Sequence, residues 1–140
     1  MSYQQPLWYA CLWKTARGKK ILKARLRRRV KRLIEEISHE SGIKLDKSIV
    51  YQNGVYIEME LSPRVAPHKI VRLIKFKTAS AVRSEFDEAK KLPSLWTREH
   101  IISQKPLGMG VRSRILGLRQ EVSRRARNRA DHRQDADERV

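Results

Sequence analysis

Between Ile49 and Leu61 the chain reads IVYQNGVYIEMEL, two β-prone runs with Asn53-Gly54 between them, and this stretch constrains the fold more than any other. Asn-Gly takes the backbone that a two-residue hairpin turn needs, so the pattern predicts an antiparallel pair in which Tyr51 faces Tyr56. Period-two alternation then puts Val55, Ile57, Met59 and Leu61 on a core face. Tyr56, Glu58 and Glu60 fall on the other face, which is open or functional in this reading.

Helical periodicity flanks the hairpin on both sides. Leu22, Leu26, Val30, Leu33, Ile34 and Ile37 form one apolar stripe, and Gly42 is placed to close that helix in the left-handed conformation. Pro67 suits the first turn of a second helix, continued by Ile70, Val71, Ile74, Ala81 and Val82. Leu7 to Trp13 (LWYACLW) reads as a buried strand followed by a basic turn from Lys14 to Lys20, and Leu95-Trp96 with His100 to Ile102 reads as a last strand. Gly108 and Gly110 precede a further helical pattern of Val111, Ile115, Leu118 and Val122. The order predicts an α+β chain: a split β-α-β-β-α-β sandwich, ferredoxin-like, whose antiparallel sheet carries two helices on one face, with a third helix added at the C-terminus. Residues 1–122 form the single domain of this reading, and residues 123–140 a basic, flexible tail that orders on binding.

Charge narrows the choice of partner. Lys and Arg number 32 against 15 Asp and Glu, a net +17 whose self-repulsion a polyanion would relieve. Residues 1–34 hold eleven Lys/Arg and no acid, and residues 62–84 hold six and no acid. Lys14, Arg17, Lys19 and Lys20 in the first turn, Arg25, Arg28, Arg29 and Arg32 on the first helix, and Lys69, Arg72, Lys75 and Lys77 on the second are the expected nucleic-acid contacts. Trp8, Trp13, Trp96 and the tyrosine pair are candidates for stacking on bases, with the tryptophans also suited to the core. No window approaches the length of apolar chain that a membrane span requires, and no secretory leader opens the sequence, so a soluble cytoplasmic protein is expected. Cys11 stands alone, which excludes an internal disulfide or a Cys-based zinc site and suits a buried strand position.

Four phrases, in order and at matching spacing, resemble the single-tyrosine HUH transposases of small insertion sequences, the insertion-sequence two-hundred family and its repeat-associated relatives. They are Tyr9 to Leu22 (YACLWKTARGKKIL), Leu33 to Ile43 (LIEEISHESGI), Ser62 to Lys77 (SPRVAPHKIVRLIKFK) and Leu92 to Ser103 (LPSLWTREHIIS). The resemblance runs from about Tyr9 to Gln120. It implies an HUH-type sandwich, a homodimer, and metal-dependent cleavage and rejoining of single-stranded DNA at hairpin-marked ends. In that chemistry two histidines at i and i+2 hold a divalent metal such as magnesium, a tyrosine on the C-terminal helix attacks the phosphate, and a glutamine one turn later helps hold the metal.

The sequence departs from that pattern where the chemistry lies. The two histidine positions read Gly54 and Tyr56, Leu116 stands in place of the nucleophilic tyrosine, and only Gln120 is retained. No tyrosine follows Tyr56, and His39, His68, His100 and His132 fall on different expected elements with no pair at ligand spacing. The reading is therefore a transposase-like protein that binds single-stranded or hairpin DNA without cleaving it, with no catalytic residue and no metal or other cofactor. Two alternatives stand beside it: an RNA-binding module using Tyr51 and Tyr56 on an open sheet face, and an active transposase with relocated residues, Tyr56 beside Glu58 among them.

Overall fold

The computed structural model describes residues 5–118, which fall into two units dividing between Leu107 and Gly108. In the first unit β1 (Leu7–Thr15) leads through a tight turn to α1 (Ala24–Glu40), then β2 (Lys44–Tyr51), β3 (Gly54–Leu61), α2 (Pro67–Glu85), the short α3 (Asp87–Lys90) and β4 (Trp96–Ser103). The strands form one antiparallel sheet in the order β2-β3-β1-β4, the split sandwich that the sequence pattern predicts.

The helices form where the apolar stripe repeats. Leu26, Val30, Leu33, Ile34 and Ile37 of α1 are buried, as are Val71, Ile74 and Val82 of α2. They pack with Cys11, Trp13, Val55, Ile57, Met59 and Leu61 in one hydrophobic cluster, and each such aliphatic side chain removed from water stabilises the fold by about 1.5–3 kcal/mol. Gly42 has φ +70, and the amides of Gly42 and Ile43 bond the carbonyls of His39 (3.1 Å) and Ser38 (2.9 Å), the glycine closure expected for α1. Burial pushes the Cys11 thiol up to about 12, so it stays protonated in its strand.

The hairpin is displaced by one residue from its predicted register. Tyr51 pairs with Gly54 and Ile49 with Tyr56, so the two turn residues are Gln52 and Asn53 and no Tyr51–Tyr56 pair forms. Tertiary bonds set this register: Leu22 donates its amide to the Gln52 carbonyl (2.9 Å), and Thr15 donates its amide to that of Asn53 (3.0 Å). These bonds carry the β1–β3 pairing past Lys14–Gly54 and override the local Asn-Gly preference. The helix α3 was not foreseen; a single turn has no periodicity to read.

The second unit contains α4 (Met109–Leu116), closed by Gly117 at φ +75, with Gly117 bonding the Arg114 carbonyl (3.2 Å) and Leu118 that of Ser113 (2.7 Å). The sequence pattern carried this helix to Val122; α4 ends at Leu116, and Val122 lies outside the described residues. Gln120 and the tail 123–140 lie outside the described residues. Among the described residues no helix is long and apolar enough to cross a membrane.

Candidate functional site

The register assigns each chemistry-bearing side chain to one of the two faces of the sheet. Val50, Val55, Trp13 and His100 stand in line across the sheet on the face that carries the helices, and Ile49, Tyr56, Leu12 and Ile101 stand in line on the other. Gly54 and Tyr56, two residues apart on β3, share that second face.

This second face is not the open platform expected from the sequence. Ala10, Leu12 and Tyr56 are all buried, Tyr56 completely. Its hydroxyl donates to Glu58 Oε2 at 2.6 Å and accepts the Leu107 amide at 3.0 Å, so the segment after β4 reaches back to this face. A phenol with its proton on a carboxylate and its lone pair on a backbone amide is a structural bridge, and it offers neither a stacking surface nor an exposed nucleophile. Tyr56 is thereby withdrawn from the RNA platform and as a relocated nucleophile, while Tyr51, opposite Gly54 on the same face, is half-buried. Leu116 ends α4.

The expected cations divide by environment. Arg25, Arg28 and Arg32 of α1, Lys69, Arg72 and Lys77 of α2, and Arg17, Lys19 and Lys20 of the turn after β1 are exposed, with Lys14 half-buried. Thr15 Oγ1 donates to the Lys19 carbonyl (2.7 Å) and holds that turn, in which Arg17 and Gly18 both take positive φ. Arg29 is committed to a partly exposed ion pair: its guanidinium bonds both carboxylate oxygens of Glu85 (2.9 and 3.1 Å), joining α1 to α2. Arg25 lies over the Phe86 ring at 5.6 Å.

Lys75 is the expected contact that the structure turns inward. It is 9 % exposed, and its ammonium donates to the carbonyls of Arg98 (3.1 Å) and Glu99 (3.3 Å), fastening α2 to β4. Burial holds its pKa below the usual lysine value, Glu99 works in the opposite direction, and Arg72 adds to the lowering. Its place is set by the stripe: position 75 follows Ile74 and precedes Thr78, on the side of α2 that faces the sheet.

Two features escaped the sequence reading. Phe76, 72 % exposed, stands beside Arg72 and Arg98 along a groove of about 280 Å³ between α2 and β4. The helical wheel contained this signal, since position 76 is two residues from both Ile74 and Thr78 and must point away from the sheet. Trp13 and Trp96 by contrast are core, edge to face at 6.0 Å, with Trp96 Nε1 donating to Thr78 Oγ1 (3.0 Å). The second feature is a histidine pair. His68 Nδ1 and His100 Nε2 approach to 3.1 Å, on helix and strand respectively, and Lys75 Nζ lies 3.5 Å from the other nitrogen of His100. Burial, then Lys75, His68 and Arg72, holds His100 below the usual histidine pKa. Among the described residues no three His, Cys, Asp or Glu side chains gather as a metal site would need.

Residues 3–105 match the family model described as IS200-like transposase. No curated protein matches the chain. Among solved structures, a crystal structure from Deinococcus radiodurans described as a candidate transposase superposes with a TM-score of 0.71 at 20% identity, over 89% of this chain and 94% of that one. A REP-associated tyrosine transposase bound to a REP hairpin superposes with a TM-score of 0.56 at 12% identity, over 94% of this chain and 72% of that one.

Proposed function

The chain belongs to the IS200-like transposase family, and from that premise we propose that it binds single-stranded or hairpin DNA without cleaving it. The observation that carries the reading is the set of exposed cations on α1 and α2, Arg25, Arg28, Arg32, Lys69, Arg72 and Lys77, none of which is in an ion pair among the described residues. A REP hairpin is the ligand of one structural relative, which supports DNA as the polyanion. Phe76, exposed on a groove that Arg72 and Arg98 also line, supplies what a splayed base and its phosphate need, an aromatic side chain with cations nearby.

Loss of cleavage is the second half of the proposal. A glycine has no donor for a metal, and Tyr56 has both its proton and a lone pair engaged by Glu58 and Leu107, so neither replaces the family's imidazole pair. A chain of this kind serves as a regulator or accessory subunit, and the homodimer implied by the family belongs to the same reading. Mobility-shift titration against single-stranded, hairpin and duplex DNA and single-stranded RNA tests it. Hairpin DNA is expected to bind tightest, with affinity falling about a thousandfold between about 50 and about 200 mM salt as phosphate contacts release counterions. Preference for single-stranded RNA would transfer the function to RNA binding.

A further inference from the structure

We propose that His68 and His100 form a proton-gated phosphate site, in which a nucleic-acid phosphate enters between the two imidazoles as the pair takes up one proton. The proposal rests on the DNA-binding reading above and adds a place and a pH dependence to it.

The argument is a count of hydrogens. The Lys75 ammonium has only protons to offer, so the His100 nitrogen facing it, Nδ1 at 3.5 Å, must accept. His100 then carries its proton on Nε2 and donates it to His68 Nδ1, 3.1 Å away, and His68 keeps its own proton on Nε2. Every contact in this chain is satisfied while both rings are neutral. One added proton breaks it: either His68 Nδ1–H faces His100 Nε2–H, or His100 Nδ1–H faces the Lys75 ammonium. Two donors then meet with no acceptor, and a phosphate oxygen resolves the conflict by accepting from both imidazoles. The step adds one solvent proton to a ring nitrogen and breaks no covalent bond.

The surroundings favour an anion. From α2 the cluster meets Lys75 and Arg72, and His68 itself lies exposed in the first turn of that helix. From β4 it meets Arg98 and Glu99, whose backbone carbonyls hold Lys75, and from β1 the residue opposite His100 is the uncharged Trp13. A separation of about 3 Å also suits two nitrogens on one cation, but ligation through His100 Nε2 would force the proton onto Nδ1, against the ammonium. The second shell of this pair is a cation where a metal site would have a carboxylate.

The test is the affinity of the full chain for a hairpin oligonucleotide with a thymidine flank, read by fluorescence anisotropy at constant ionic strength. For the natural sequence it should rise about tenfold from about pH 8 to about pH 6, and for the double variant His68→Gln, His100→Gln by less than about twofold. His39 and His132 remain in both proteins, so the difference isolates the pair. Equal pH dependence in the two proteins would overturn the site and leave DNA binding standing. Absence of DNA binding at any pH would overturn the parent reading instead. The site is then read by imidazole ¹⁵N resonances with dimethyl phosphate, where a proton gained on the pair supports it and unchanged resonances overturn it. Equimolar zinc shifting both imidazoles would also overturn it, by making the pair a metal site.

Discussion

The two faces of one sheet hold two polar clusters with opposite fates. On the face away from α1 and α2, where the family resemblance aligns its metal-binding histidines, Tyr56 is completely buried and its hydroxyl joins Glu58 to the Leu107 amide. On the helix-bearing face, at the β4 edge, two imidazoles meet in reach of solvent beside Lys75 and Arg72. In the first cluster the Tyr56 hydroxyl is engaged on both sides, by Glu58 and by the Leu107 amide. The second has unspent protonation states and is ringed by cations. That contrast is what the proposed reading, binding without cleavage, rests on.

This contrast is sharpest at Tyr56. Tyr56→Ala is expected to lower stability by about 3–5 kcal/mol, measured by urea unfolding, because it empties a fully buried aromatic position. Tyr56→Phe keeps the packing and strands the Glu58 carboxylate and the Leu107 amide, with an expected loss of about 1–3 kcal/mol. If the phenylalanine variant were as stable as the natural chain, the hydroxyl would be no structural bridge. The corresponding His68→Gln change, at an exposed position, should move stability by less than about 0.5 kcal/mol.

Cys11 tests how dry the helix-bearing face is. Its folded pKa lies above the unfolded value, so its contribution is fully present below the unfolded pKa and is lost as pH rises toward about 12. Between about pH 8 and about pH 10.5 the natural chain should lose about 2 kcal/mol more stability than Cys11→Ala, and the native thiol should resist alkylation throughout. Equal losses would mean that water reaches the strand.

A small effect is expected at the rim of that face. Arg29→Ala removes a two-point contact with Glu85 whose partners are both partly exposed, so about 0.5 kcal/mol is expected, screened by salt. The Arg29 hydrogen bond holds the Glu85 carboxyl below its usual pKa, so this contribution is present above the ordinary carboxylate range and is lost as pH falls through the folded value. A loss near 2 kcal/mol would show the contact to be far better shielded than its exposure suggests.

What was legible in the sequence follows from how local each cause is. The stripe from Leu26 to Ile37 and the Gly42 closure depend on neighbours within two turns, and both appear as read, whereas Leu22, expected at the head of the stripe, lies before α1 and bonds the hairpin turn instead. The Asn53-Gly54 turn looked equally local, yet its register is set by Thr15 and Leu22, thirty and more residues earlier. Tyr56 was legible as a residue of the second face, but its burial was not, since no periodicity shows that Leu107 returns to it. The histidine pair was hidden for the same reason. His68 and His100 lie 32 residues apart and meet only because α2 packs along β4, held there by Lys75.

Denaturing electrophoresis of the full chain, incubated with a hairpin-tipped oligonucleotide and magnesium or manganese, tests the loss of cleavage most directly. The predicted result is a complex that shifts the DNA in a native gel and leaves protein and intact oligonucleotide separate once denatured. A metal-dependent covalent protein–DNA species, abolished by Tyr56→Phe, would contradict it and restore the second face as an active site.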